Sequence, residues 1–206
     1  MNREKLGEFH KKNILNAADK LFREFGPVNT TMNMVAKLAD YSTATVYSYF
    51  TGKDEIFFTL VLGGMKELKA CFDAIVAAEG DFERKYYEIC RGLSAYSKTS
   101  PLYFEAMTGH INMNIASADT PRVFAEIFET GNAINGTLSR LLKQGVEEGL
   151  IDGGLDTGKV IFYMWSSIMG VVRTTGQKRD YFMLNSVDGA DLLEFSFARL
   201  LKSLSV

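Results

Sequence analysis

A chain of 206 residues, 47% hydrophobic and 23% charged, can bury a substantial core in one or two domains. Its mean hydropathy of -0.03 and the lack of any apolar run near the roughly 18 residues of a membrane helix exclude a spanning segment. The formal net charge of -2 hides a split: residues 1–53 carry 8 Lys+Arg against 5 Asp+Glu, and the rest of the chain is net acidic.

The polar opening from Met1 to Lys12 has no apolar stretch of the signal-peptide kind, so a cytoplasmic protein is expected. The first helix is expected from about Lys5 to Phe25. Ile14, Ala18, Leu21 and Phe25 share one face, Leu15 and Phe22 lie beside them, and Gly26-Pro27 ends the helix. A second, short helix follows Thr30-Thr31, either of which can cap it, and repeats Met32, Val35, Ala36 and Ala39 on one face. Asp40-Tyr41-Ser42 makes the turn, with Asp40 in a left-handed conformation and Ser42 capping the next helix.

That third helix is the informative one. Val46 and Phe50 fall on one stripe, Ala44, Thr45 and Ser48 on the other, and Tyr47 and Tyr49 flank the boundary. A face of small residues edged by phenols is a poor core and a poor charged surface. It suits close approach into a groove, with hydroxyls free for phosphate oxygens. Two helices across a tight turn, the second exposed, is the helix-turn-helix pattern. The expected three-helix core is Leu21, Phe22, Phe25, Val35, Val46 and Phe50.

The next helix opens at Thr51-Gly52-Lys53-Asp54-Glu55, where Thr51 and Asp54 resemble a capping box, and runs to about Ala78. Lys53 is mildly unfavourable in a first turn; it either reaches a phosphate or is solvated. Further helices are expected from Asp81 to about Lys98, from Ser100-Pro101 to about Asn114, and from Thr120-Pro121 to about Leu150 with interruptions at Gly131 and Gly136. Another begins at Asp156 or Thr157 and ends near Thr175. Gln177 to Gly189 reads as a loop, and a last helix from about Asp191 carries an apolar stripe of Leu193, Phe197, Leu200 and Leu204. That stripe either finishes the core or forms an oligomer interface. The whole is all-α, about nine helices, divided into a helix-turn-helix DNA-binding domain at 1–52 and a helical domain at 53–206.

The residues Ala17-Ala18, Leu21-Phe22, Gly26, Thr30-Thr31, Ala36, Ala39, Ser42, Thr45, Tyr47, Tyr49-Phe50, Lys53 and Glu55 carry a family resemblance. From about Ile14 to Phe57 the chain resembles the N-terminal domain of TetR-family transcriptional regulators; no motif extends the match into the C-terminal part. The resemblance implies a homodimer on a palindromic double-stranded DNA operator, joined through about 156–175 and 191–204. It also implies a repressor released when a small-molecule effector enters the helical domain.

The chain departs from the family at Asp40 (often Gly), Thr43 (often Lys or Arg) and Ala44 (often Gly). With no Arg or Lys on the recognition helix, bidentate reading of guanine is not available there. Ala44, Thr45 and Thr43 are expected to contact thymine methyls or act through water. Tyr47, Tyr49, Lys53, Thr31 and the basic residues Arg3, Lys5, Lys11 and Lys12 are expected to meet phosphates, and Ser42 and Ser48 complete the expected DNA-facing set.

The central helices carry Phe72, Tyr86, Tyr103, Met107, Phe128, Trp165 and Met169, with Tyr87, Tyr96, Phe104, Met113 and Phe124 alongside. At helical spacing such residues also build cores, but together they exceed what these helices need, and Met lines adaptable pockets. An apolar or aromatic effector is expected among Phe72, Tyr86, Tyr103, Met107, Phe128, Trp165 and Met169, with His110 either contacting it or simply a satisfied or exposed histidine. Arg173, at the polar end of an apolar helix, pairs either an anionic ligand group or a surface carboxylate.

Cys71 and Cys90 lack CxxC spacing, so neither a disulfide framework nor a metal site is indicated, and both thiols are expected in helix interfaces. The chain contains no His-Glu-x-x-His, Gly-x-Ser-x-Gly or phosphate-loop motif, so no catalytic residue, cofactor or metal is assigned. The competing view is a helical protein-interaction adaptor without sequence-specific DNA binding.

Overall fold

The computed structural model describes residues 3–108 and 121–205. Among them are ten helices: α1 (Arg3–Asn29), α2 (Met32–Ala39), α3 (Thr43–Tyr47), α4 (Lys53–Ala77), α5 (Phe82–Thr99), α6 (Pro101–Thr108), α7 (Arg122–Glu147), α8 (Thr157–Gln177), α9 (Arg179–Leu184) and α10 (Gly189–Lys202). The described residues gather into two compact units, 3–64 with 121–128 and 65–108 with 129–205.

In the first unit α1 buries Ile14, Ala17, Ala18, Leu21 and Phe22, the face its spacing requires. The helical path breaks at Gly26, whose φ of 76° an L side chain rarely adopts. Phe25, expected in the core, instead stands 43% exposed just before that break, where the helix no longer faces its neighbours. The other five expected core residues, Leu21, Phe22, Val35, Val46 and Phe50, are all buried. Thr31, rather than Thr30, caps α2 by accepting from Met34 N at 3.2 Å. Thr30 is buried and donates to Gly26 O across the kink.

At the start of α4 the side-chain cap differs from the capping box expected with Asp54. Glu55, one position further on, accepts from Thr51 N at 2.6 Å and from its hydroxyl at 2.8 Å. Two bonds to one carboxylate satisfy two donors with a single side chain, and Asp54 is left exposed.

The core of the second unit is aromatic. Phe72, Phe82, Tyr86, Phe104 and Phe197 are all no more than 2% exposed. The Tyr86 hydroxyl donates to Phe197 O at 2.9 Å, tying α5 to α10, and burial drives its pKa far above the usual phenol range. Asp81 caps α5, accepting from Arg84 N at 2.8 Å, and Asp156 caps α8, accepting from Lys159 N at 2.9 Å. Asp73 on α4 accepts from Lys69, from Thr137 and Arg140 on α7, and the first two bonds hold its carboxyl below the usual range.

α7 runs through Gly131 and Gly136 without the expected interruption, because its packed face outweighs the modest helix cost of two glycines. In its last turn, at Gly145, an added Cβ would come within 2.7 Å of Ile151 Cγ1 and 2.9 Å of Phe82 Cδ2. Only a residue without a side chain lets the returning turn and α5 approach that closely. The turn then ties into the end of α10 through Asp152 N and Leu204 O, 2.9 Å apart.

Three further expectations change. The segment 177–189 is not a simple loop: Arg179–Leu184 forms the one-and-a-half-turn α9. α10 starts at Gly189 rather than Asp191, because Asp188 accepts from Ala190 N and Asp191 N. Cys90 is buried, which pushes its thiol up to about 12, whereas Cys71 is exposed rather than packed in a helix interface. Among the described residues no helix is long and apolar enough to cross a membrane.

Candidate nucleic-acid interface and ligand cavities

The orientation of α3 is set from beneath by Val46 and Phe50, which are buried, as are Ile14, Phe22 and Val35 of the same unit. Its start is fixed by Ser42, whose hydroxyl accepts from Thr45 N at 3.0 Å and lies 2.8 Å from the Thr45 hydroxyl. Asp40, at φ 60° and ψ 43°, supplies the left-handed step that ends α2 and lets Tyr41 N return to Ala36 O. Thr43 ties the two helices together by donating to Asn33 Oδ1 at 3.0 Å.

On the outer side of α3 stand Ala44 and Ser48, exposed, and Thr43 and Thr45, half-buried. The Ser48 hydroxyl donates to Thr45 O. Tyr47 is 52% exposed, so its phenol is free of the core, whereas Tyr49 is half-buried with its ring 5.9 Å from that of His10. Lys53 reaches back to Val28 O at 3.3 Å, which holds its ammonium beside the end of α1. Thr31 is exposed, and its capping oxygen leaves the hydroxyl proton available to an acceptor. Arg3, Lys5, Lys11 and Lys12 are exposed along the first half of α1.

One supporting cluster has no counterpart in the periodicity of the sequence. His10 Nδ1 lies 2.7 Å from the Tyr41 hydroxyl, which also accepts from Asn13 at 3.3 Å. These contacts pin the turn between α2 and α3 to α1. Two side chains 31 positions apart leave no local pattern, although a tyrosine in a polar turn was itself a signal.

Two of the cavities in the second unit are of small-molecule size. The smaller, of about 480 Å³, is lined by Met65, Leu68, Met107, Ile134, Trp165, Met169 and the polar residues Asn135, Ser166 and Arg173. Asn135 accepts from the Trp165 indole at 3.0 Å, which fixes the ring. The larger, of about 990 Å³, is more polar and includes Lys98, Glu105, Arg173, Gln177, Arg179 and Phe182.

Of the residues expected around an effector, Met107, Trp165 and Met169 line the smaller cavity. Phe72, Tyr86 and Tyr103 are packed core, with the Phe72 ring 6.5 Å from that of Trp165. Phe128 is 52% exposed and belongs to the first compact unit. His110 and Met113 lie outside the described residues. On the outside of the second unit Phe162, Tyr163 and Phe195 stand 65%, 48% and 58% exposed on α8 and α10.

An all-helical chain whose head presents a short, capped and largely polar helix above a packed three-helix core is a helix-turn-helix protein of the transcription-regulator class. The family model for bacterial regulatory proteins of the tetR family matches residues 14–60. An uncharacterized HTH-type transcriptional regulator of Bacillus subtilis, YhgD, is 30% identical over 141 residues, covering 68% of this chain and 71% of that one. The chain belongs to the TetR family, whose members are transcriptional regulators and not enzymes.

Solved structures match nearly the whole fold. The fatty acid degradation regulator FadR from Bacillus halodurans gives a TM-score of 0.71 at 19% identity, over 93% of this chain and 94% of that one. FadR from Bacillus subtilis, in complex with stearoyl-CoA, gives 0.69 at 18% identity, over 92% and 97%.

Proposed function

We propose that this chain is a ligand-responsive repressor that binds a palindromic operator as a homodimer and is released by a small apolar effector. The observation that carries the DNA-binding part is the outer face of α3. Its exposed positions are small or hydroxylic, its edge is a free tyrosine, and its base is capped and braced to α2 and α1. A rigid helix with that face enters a major groove closely and offers methyl and hydroxyl contacts to base edges. Thr31, Tyr47, Tyr49 and Lys53 surround it as phosphate contacts, and Ser42, Thr43, Ala44, Thr45 and Ser48 face the groove.

The homodimer is supported by the apolar side chains exposed on α8 and α10, namely Phe162, Tyr163 and Phe195. Large apolar side chains left exposed on two helices that pack together are of the sort that marks an interface. The effector part is supported by the smaller cavity. Its volume falls within the range of about 300–1,000 Å³ typical of small-molecule sites, with an apolar lining and few polar groups. A structural neighbour that holds stearoyl-CoA is consistent with an apolar ligand in this fold. The 25-residue α4 passes from one compact unit to the other at Gly64 and Met65, and α7 does so at Phe128 and Glu129, so both helices are covalent routes from the cavity-bearing unit to the head.

Because α3 carries no cation, phosphate neutralisation falls on α1 and Lys53. Each neutralised phosphate adds roughly 0.9 to the slope of log affinity against log salt. Five such cations per head, Arg3, Lys5, Lys11, Lys12 and Lys53, bound the slope for a dimer at roughly -9, and a measured slope clearly steeper than that, or one near zero, contradicts the assignment. Titrating operator affinity between low and moderate potassium chloride supplies the measurement.

A further inference from the structure

We infer that the ligand of the α8 cavities is an apolar monocarboxylate whose carboxylate binds Arg173 in the place now held by Glu105. This rests on the effector-responsive function proposed above. Arg173 is common to the linings of both cavities. Its Nε lies 2.9 Å from Glu105 Oε2, and Gln177 Nε2 donates to Glu105 Oε1 at 2.9 Å. A guanidinium and an amide from successive turns of α8 thus converge on one carboxylate, each serving a different oxygen. The protein's own side chain shows what kind of group those two donors fit.

The smaller cavity requires the rest of the ligand to be apolar. Among the described residues that line it, Arg173 alone is charged, and Met65, Leu68, Met107, Ile134, Trp165 and Met169 make most of the wall. A neutral guest would forgo the two donors that Glu105 now holds, and a second anionic group would be stripped of water against methionine and leucine. One carboxylate on an apolar body avoids both costs, and the planar guanidinium prefers a carboxylate that it can bind through two parallel N–H groups.

Exchange is physically accessible because the pair is not sealed. The Arg173 and Glu105 side chains are 47% and 34% exposed, so water reaches both and the existing bond contributes little to stability. Glu105 is on α6 and Arg173 and Gln177 are on α8, so a ligand that displaces Glu105 removes those two ties between α6 and α8.

The test uses the full-length protein, in which Trp165 is the only tryptophan and lines the smaller cavity. Its fluorescence is titrated with dodecanoate (below micelle formation), 3-phenylpropanoate, their methyl esters and dodecanoyl-coenzyme A. At least one free acid is expected to bind more tightly than its ester. Arg173→Gln should weaken that acid by about tenfold or more and leave the ester unchanged, and Glu105→Gln should tighten the acid by about threefold. A pair that is merely structural would move both variants in the same direction.

Binding of neither acid, equal affinity for acid and ester, or tighter binding of the coenzyme A thioester than of dodecanoate overturns the assignment. If Arg173→Gln fails to fold, Glu105→Gln decides alone, and unchanged or weaker acid binding overturns it. Acid binding that leaves DNA affinity unaltered defeats the effector-release function while leaving the ligand assignment intact. Release from DNA by a compound whose binding ignores Arg173 does the reverse.

Discussion

Ala44→Glu is expected to lower operator affinity by at least about 100-fold while leaving the fold intact. Ala44 is exposed on the second residue of α3, so the new side chain displaces no packing. A carboxylate in a first helical turn is favourable to the helix dipole, which makes the head as stable as before or slightly more so. Facing DNA, the same carboxylate meets bases and phosphates whose field is negative, and a like-charge juxtaposition costs several kcal/mol. In a dimer that cost is met twice. Electrophoretic mobility shifts give the affinity, and thermal melting of the free protein gives the stability. An unchanged melt with a threefold or smaller change in affinity would place α3 away from the DNA.

Phe72→Ala is expected to cost about 3–5 kcal/mol, the range for removing a buried aromatic ring and leaving a cavity. Phe72 is 0% exposed in the core of the second unit, with Gly92 closely beneath it and the Trp165 ring 6.5 Å away. Marginal stabilities of about 5–15 kcal/mol make a loss of that size a large fraction of the whole. Urea unfolding followed by Trp165 emission reports on this unit, because the chain contains no other tryptophan. A loss below about 1 kcal/mol would mean that the ring lines a ligand space that tolerates truncation, as the composition of the central helices first suggested. The two outcomes separate core from pocket at the residue where the sequence left both open.

Most of the head was legible because its signals are local. The stripe Val46–Phe50, the cap at Ser42 and the left-handed Asp40 each depend on residues within one or two turns, and the structure has all three. Phe25 was misassigned because helical periodicity carried it onto the buried face, while the break that turns it outward comes at the following residue. The bracing of Tyr41 by His10 and Asn13 was not legible, since it joins positions remote in sequence.

The second unit was legible in its helices but not in its cavities. A list of aromatics and methionines does not separate Trp165 and Met169, which face a cavity, from Phe72 and Tyr86, which fill the core; only packing of α4, α5, α7 and α8 decides it. Arg173 did stand out, as a cation ending an apolar helix. Its partner Glu105 did not, because nothing near Glu105 in the chain marks it. The short α9 escaped notice because six residues are too few to show a periodic face.

The central claim, that α3 directs this chain to a specific duplex sequence, is tested most directly by binding selection from random double-stranded DNA with the purified protein. Successive rounds should enrich an inverted repeat with half-sites about one helical turn apart, and Ala44→Glu carried through the same rounds should enrich nothing. Recovery of no inverted repeat by the unaltered protein would contradict the account and favour the helical interaction adaptor instead.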